Sequence, residues 1–138
     1  MALAASFLSA VADRLGLWGP PGAADVAWGS VPKYQEYVAQ LNWFLPAVLV
    51  PVVGWAATAC EVTLAIGLLI GWRLHWVAFA AGILLTAFAV MMAVALGPEP
   101  PLAYSVPSAA GAAFLLAALT CTKNYRTGLE FAVPARAG

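Results

Sequence analysis

Three ionisable side chains stand in or at the edge of long apolar runs, and their types suit one another. Glu61 is the only acid or base in Pro46–Ile70, PAVLVPVVGWAATACEVTLAIGLLI. Asp13 and Arg14 fall near the end of a second apolar run, Ala2–Leu17, ALAASFLSAVADRLGL. A carboxylate taken out of water must be paired, protonated or given a wet cavity, because burial opposes its charged form. Each outcome turns Glu61 inward, either as a group that only orients the fold or as a catalytic acid, base or ligand contact. For Asp13 and Arg14 two readings stand: Arg14 snorkels to water while Asp13 caps nothing, or one of the two pairs with Glu61. Guanidinium is the cation best suited to grip a carboxylate in a dry site, since its planar fork can bond both oxygens. Depth points to Arg14 as the ion-pair partner. At ~1.5 Å per residue Arg14 lies ~18 Å along its run and Glu61 ~14 Å from the far end of its own, about one helical turn apart if the runs are antiparallel.

Other residues carry weaker signals. Thr58, Cys60 and Thr63 flank Glu61 with modest hydrogen-bonding capacity. His75 stands beside Arg73 with no acid or second histidine at helical spacing, which suits a solvated histidine and leaves no metal site. Cys60 and Cys121 fall at different depths and no C-x-x-C occurs, so neither a disulfide between them nor dithiol redox chemistry is expected. Met91 and Met92 read as core filler. Tyr104, Ser105, Pro107 and Ser108, with Glu99, either line a polar mouth or simply place an aromatic at an interface.

The composition says what must hold these groups. Hydrophobic residues make up 64% of 138 residues, charged residues only 9%, and mean hydropathy is +0.90, against roughly 45–50% apolar and ~25% charged in soluble domains. An all-α integral membrane protein is expected, with the lipid bilayer as its surroundings. At ~20 residues per span there is room for one domain of four transmembrane helices. The formal net charge is zero and no basic cluster occurs, which leaves nucleic acid without an electrostatic footprint.

Along the chain the expected spans are about 2–17, 46–70, 74–96 and 102–122. No basic residue precedes the first apolar run, so it reads as a retained helix and not as a signal peptide. Residues 18–30, WGPPGAADVAWGS, are punctuated as a loop. From Val31 to Phe44, Tyr34, Tyr37, Val38 and Leu41 recur at helical spacing, with Lys33, Gln35, Glu36, Gln40 and Asn42 opposite. That pattern predicts a short interfacial helix between the first and second spans, started at Ser30 and roofing the bundle. Pro51 is expected to add a bend to the second span, residues 71–75 a tight return, and Gly97–Pro101 a rigid turn. Arg73, Lys123, Arg126 and Arg136 would share one side, facing Lys33, Asp25, Glu36 and Glu99 on the other, so the positive-inside tendency puts both termini in the cytoplasm.

The ordered set FLSAVADRLG at Phe7–Gly16, WG at Trp28–Gly29, YxxY at Tyr34–Tyr37, ATACE at Ala57–Glu61, LLIG at Leu68–Gly71 and FAVMM at Phe88–Met92 resembles the DoxX family of small bacterial membrane proteins. The resemblance covers nearly the whole chain. It implies a four-helix bundle in the bacterial inner membrane, with Arg14 at the family's basic position closing the first span and Glu61 at its second-span acid. It also implies association with an oxidoreductase partner protein handling a lipophilic small molecule such as quinone. The paired cysteines of the thiol-active relatives are absent. Three readings follow: a membrane subunit of such a system, with Glu61 and Arg14 at the polar end of a pocket; a non-catalytic scaffold or assembly factor, with a partner protein and no pocket; and a small enzyme doing acid/base chemistry on a lipophilic substrate through Glu61. The alternative to a partner protein is a homo-oligomer.

Overall fold

The computed structural model describes residues 1–132, with side chains described as far as Thr122. Within them the chain is all-helical: α1 Ala2–Arg14, α2 Val31–Leu41, α3 Val50–Ile70, α4 Leu74–Leu96, α5 Glu99–Ala103 and α6 Val106–Ala132. Helix α1 packs on α3, α3 on α4 and α4 most extensively on α6, while α2 lies against α3 and α4. Ala4 and Phe7 at the start of α1 meet Ala65 and Leu68 late in α3, and Arg14 at the end of α1 meets Thr58 and Glu61. The two helices are therefore antiparallel.

The shared core of α1, α3, α4 and α6 is built largely of alanine: Ala4, Ala65, Ala78, Ala81, Ala113 and Ala117, with Phe7, Leu68 and Val77. Small side chains let helix backbones approach closely, which is how helices associate where water supplies no hydrophobic drive. The large apolar side chains instead face out, among them Ile66, Leu69, Phe79, Ile83, Val90 and Leu115. Helices α3 and α4 are long and apolar enough to cross a membrane, yet only 22% of the most apolar stretch of each is buried. A core helix of a water-soluble protein has the reverse profile. At ~1.5 Å per residue α3 and α4 run ~32 and ~35 Å, against ~20 Å for the thirteen residues of α1. The apolar part of α6 is Val106–Thr122.

Several boundaries differ from expectation. Helix α1 stops at Arg14, three residues before Leu17, where the chain passes through Leu15 into Gly16 at φ +76. Residues 46–49 form a turn and α3 starts at Val50, with Pro51 in its first turn. Its missing N–H has no intrahelical partner to lose there, so Pro51 starts the helix and does not bend it. The rigid turn after α4 contains a short helix, α5, whose prolines Pro100 and Pro101 also occupy a first turn. Ser105, at φ +54, separates α5 from α6, so the last long helix begins at Val106 and not at Leu102, and it continues past Thr122.

The expected return between α3 and α4 is present. Gly71 takes the left-handed conformation, φ +74, and its N–H closes α3 on the Gly67 carbonyl at 3.0 Å. Helix α2 starts as its sequence reads, with the Ser30 hydroxyl accepting from the Lys33 N–H at 3.4 Å. Of the basic residues expected to share the cytoplasmic side, Lys123 and Arg126 have side chains outside the described ones, and Arg136 lies outside the described residues altogether.

Candidate functional site

The end of α1 carries two adjacent charged residues in opposite service. Both are 5% exposed, so Arg14 does not snorkel. It reaches α3, where Nη2 donates to Glu61 Oε1 at 2.8 Å, Nη1 stands 2.6 Å from Glu61 Oε2, and Nη1 also donates to Thr58 Oγ1 at 2.9 Å. Glu61 itself is 2% exposed. Thr58 is three residues before Glu61 on α3, so one face of the helix offers the guanidinium both a carboxylate and a hydroxyl. Asp13 turns the other way. Its Oδ2 accepts the Trp28 backbone N–H at 2.8 Å, which fastens the loop before α2 to the end of α1. The structure thus joins Arg14 to Glu61 and leaves Asp13 outside the pair.

Two aromatic rings complete the cage around Arg14. Its guanidinium carbon lies 4.0 Å from the Tyr34 ring centroid and 5.2 Å from that of Trp28, within the range in which a cation is attracted to a ring face. The rings meet edge to face, 5.4 Å apart. Tyr34 is placed by α2, which presents Tyr34, Val38 and Leu41 as its buried face. The Tyr34 hydroxyl points at the Gly54 carbonyl, 3.4 Å away, which also accepts from Thr58 Oγ1 at 2.9 Å. Burial lifts the Tyr34 phenol above its ordinary pKa, and the Arg14 guanidinium opposes that lift. α2 settles on α3 over Gly54, where an added Cβ would come within 2.6 Å of the Gln35 amide.

Gln35 was expected on the polar side of α2 but packs against α3, with its Oε1 buried and unpartnered among the described residues. Arg14 Nε, Asp13 Oδ1 and Glu61 Oε2 are likewise buried with no hydrogen-bond partner among the described residues, Glu61 Oε2 having only its ionic contact with Arg14 Nη1. A cavity beside them, lined by Arg14, Tyr34, Gln35, Trp55 and Thr58, has about 10 Å³ of room for water centres, close to the minimum for one water molecule. Val11, Leu15 and Val31 complete its wall. A quinone ring would not fit.

The remaining candidates stand apart from this cluster. Cys60 and Cys121 are free and exposed. His75 is half-buried, its Nδ1 hidden and unpartnered among the described residues and its ring 5.0 Å from that of Trp76, where a solvated histidine was expected. Glu99, Tyr104, Ser105 and Ser108 are all exposed and form no enclosed mouth. Sequence reasoning missed Trp28 and Tyr34 as the cage around Arg14. Tyr34 had a legible signal in the helical spacing of the buried face of α2, whereas Trp28, in an aperiodic loop, had only its WG dipeptide. Comparison of the chain with protein-family models, curated proteins and solved structures finds no significant match.

Proposed function

We propose that this chain is a multi-pass membrane protein of DoxX type whose α1, α3, α4 and α6 lie as a bundle in the bilayer, acting as a non-catalytic subunit that organises an oxidoreductase partner. The observation that carries the non-catalytic part is the closure of the Arg14–Glu61 site. Both Glu61 oxygens face the guanidinium, aromatic rings flank it, and the adjoining space holds about one water. A general acid or base must reach its substrate within hydrogen-bond distance. Glu61 has no such approach, so its role is to hold α1 to α3. The outward-facing large apolar side chains of α3 and α4 support the membrane reading, and the ordered DoxX-like motifs support the bacterial plasma membrane, cytoplasmic termini and the class of partner. Any quinone chemistry would then belong to the partner.

The test is purification of the tagged chain from its native membrane in mild detergent, with mass spectrometry of co-purifying proteins and of extracted small molecules. The expected result is a stable oxidoreductase partner in both wild type and Glu61→Gln under conditions where both remain folded, with no quinone retained by the isolated chain. A quinone held by the isolated wild type and lost in Glu61→Gln would overturn the scaffold reading in favour of a ligand site at Glu61.

A further inference from the structure

The α3–α4 hairpin carries a second feature, at the opposite end of α3 from the Arg14 cage. A groove of about 440 Å³ opens between the two helices where they turn, within the ~300–1,000 Å³ typical of ligand sites. Its walls are mostly apolar: Leu64 and Gly67 from α3 and Val77 and Ala80 from α4, beside Thr63, whose hydroxyl donates to the Ala59 carbonyl of its own helix at 2.8 Å. Its rim carries Trp72, Arg73 and Trp76, and all three are exposed. Arg73 has no acid partner among the described residues, and the sequence holds no Asp or Glu between Glu61 and Glu99. Arg73 also occupies the N-cap of α4, where its carbonyl already accepts the Trp76 and Val77 N–H groups and the helix dipole favours an anion.

We propose that this groove binds one anionic phospholipid, its phosphate at Arg73 and one acyl chain laid along Leu64, Gly67, Val77 and Ala80. The inference rests on the membrane reading above. The occupant follows from the ordering of the chemistry. A cation stands at the mouth, two amphipathic indoles beside it suit the headgroup level, and a mostly apolar trough runs from there between the two helices. A soluble phosphate compound would use the mouth and leave the trough empty. A lipid without phosphate would use the trough and leave the mouth empty, and a zwitterionic one would bring a second cation, its quaternary ammonium, beside Arg73.

Native mass spectrometry of the chain in micelles containing equimolar palmitoyl-oleoyl phosphatidylglycerol and phosphatidylcholine tests this, run on wild type, Arg73→Gln and Ala80→Phe, with the chain first recovered from carbonate-washed membranes. Arg73 and Ala80 are exposed, and helicity by circular dichroism checks that both variants fold. Wild type is expected to retain one phosphatidylglycerol in preference to phosphatidylcholine. Arg73→Gln should lower phosphatidylglycerol retention about five-fold, the effect of ~1 kcal/mol per basic residue near an anionic headgroup. Ala80→Phe, which fills the trough, should lower retention of both lipids. A chain that stays in washed membranes yet holds both lipids equally, or loses nothing in Arg73→Gln, overturns the lipid site and leaves the membrane reading intact. A chain released by carbonate overturns both.

Discussion

Glu61→Leu isolates what the buried pair contributes. The substitution leaves Arg14 in place with its bond to Thr58 Oγ1 at 2.9 Å and the Tyr34 ring 4.0 Å from its guanidinium carbon, and removes the 2.8 Å bond and the 2.6 Å ionic contact to Glu61. Breaking one side of a buried ion pair costs about 3–5 kcal/mol, most of it from the charge left behind. The ring faces retain ~0.5–2 kcal/mol of attraction for that charge, so the lower half of the range is expected. Glu61→Gln keeps an acceptor for Nη2 and loses the charge, which should cost about 1.5–3 kcal/mol. In the double variant Arg14→Leu with Glu61→Leu no charge is stranded, and the coupling between the two sites should recover at least ~2 kcal/mol of the summed single losses. Unfolding by sodium dodecyl sulfate in mixed micelles, followed by tryptophan fluorescence and far-ultraviolet circular dichroism, reads all five species: wild type, Glu61→Leu, Glu61→Gln, Arg14→Leu and the double variant. Strictly additive losses, or a Glu61→Leu cost below ~1 kcal/mol, would refute the argument that the pair fastens α1 to α3.

Three further outcomes are expected. Gly82→Ala would set a Cβ 2.7 Å from the Phe114 ring, a rigid neighbour, and should destabilise the α4–α6 contact by ~1–3 kcal/mol; Phe114→Leu in the same chain should restore most of it, and failure to do so would mean the contact is not limiting. Cys60 is exposed on the bundle surface midway along α3, so a membrane-impermeant maleimide should leave it unlabelled in intact membranes but modify it in sodium dodecyl sulfate; rapid labelling in intact membranes would argue that water reaches this face. The raised Tyr34 phenol ties the neutral form to the fold, so its contribution is complete below about pH 10 and is lost as pH rises through the raised value. The unfolding midpoint should fall above that pH and fall less steeply in Tyr34→Phe, with Tyr37, also raised by burial, supplying the remainder; identical pH profiles for wild type and variant would show that Tyr34 is not the group responsible.

What could be read from the sequence divides along a physical line. Arg14 and Glu61 were legible as partners because each is costly alone in apolar surroundings and each is rare there, so depth and charge were enough to join them. Helix α4 was legible to the residue, since Gly71 and Gly97 bracket an uninterrupted apolar run. The starts of α3 and α6 were not, because proline and serine act there through backbone geometry that apolar counting does not see: the turn at 46–49 and Ser105 at φ +54 each move a boundary by four residues. Gln35 was misassigned because polarity alone put it outside, whereas the absent side chain at Gly54 makes room for its amide. Trp28 joined the site through a backbone N–H, a group that every non-proline residue carries and that no pattern of side chains reveals.

The separation of the two halves of the ion pair along the chain bears on how the protein is made. Glu61 follows Arg14 by 47 residues, so at ~5–20 residues per second several seconds pass in which Arg14 exists and its partner does not. During that interval α1 is a thirteen-residue helix, ~20 Å long against a ~30 Å hydrocarbon core, ending in a buried-type charge with nothing to hold it. In the membrane reading its stable position is along the interface, and it takes its place beside α3 only when that helix emerges. Chains arrested before Glu61 should therefore release α1 to carbonate, and chains arrested beyond the α3–α4 turn should not. On that reading the salt bridge would act as an insertion checkpoint, in which the later helix licenses the burial of the earlier one.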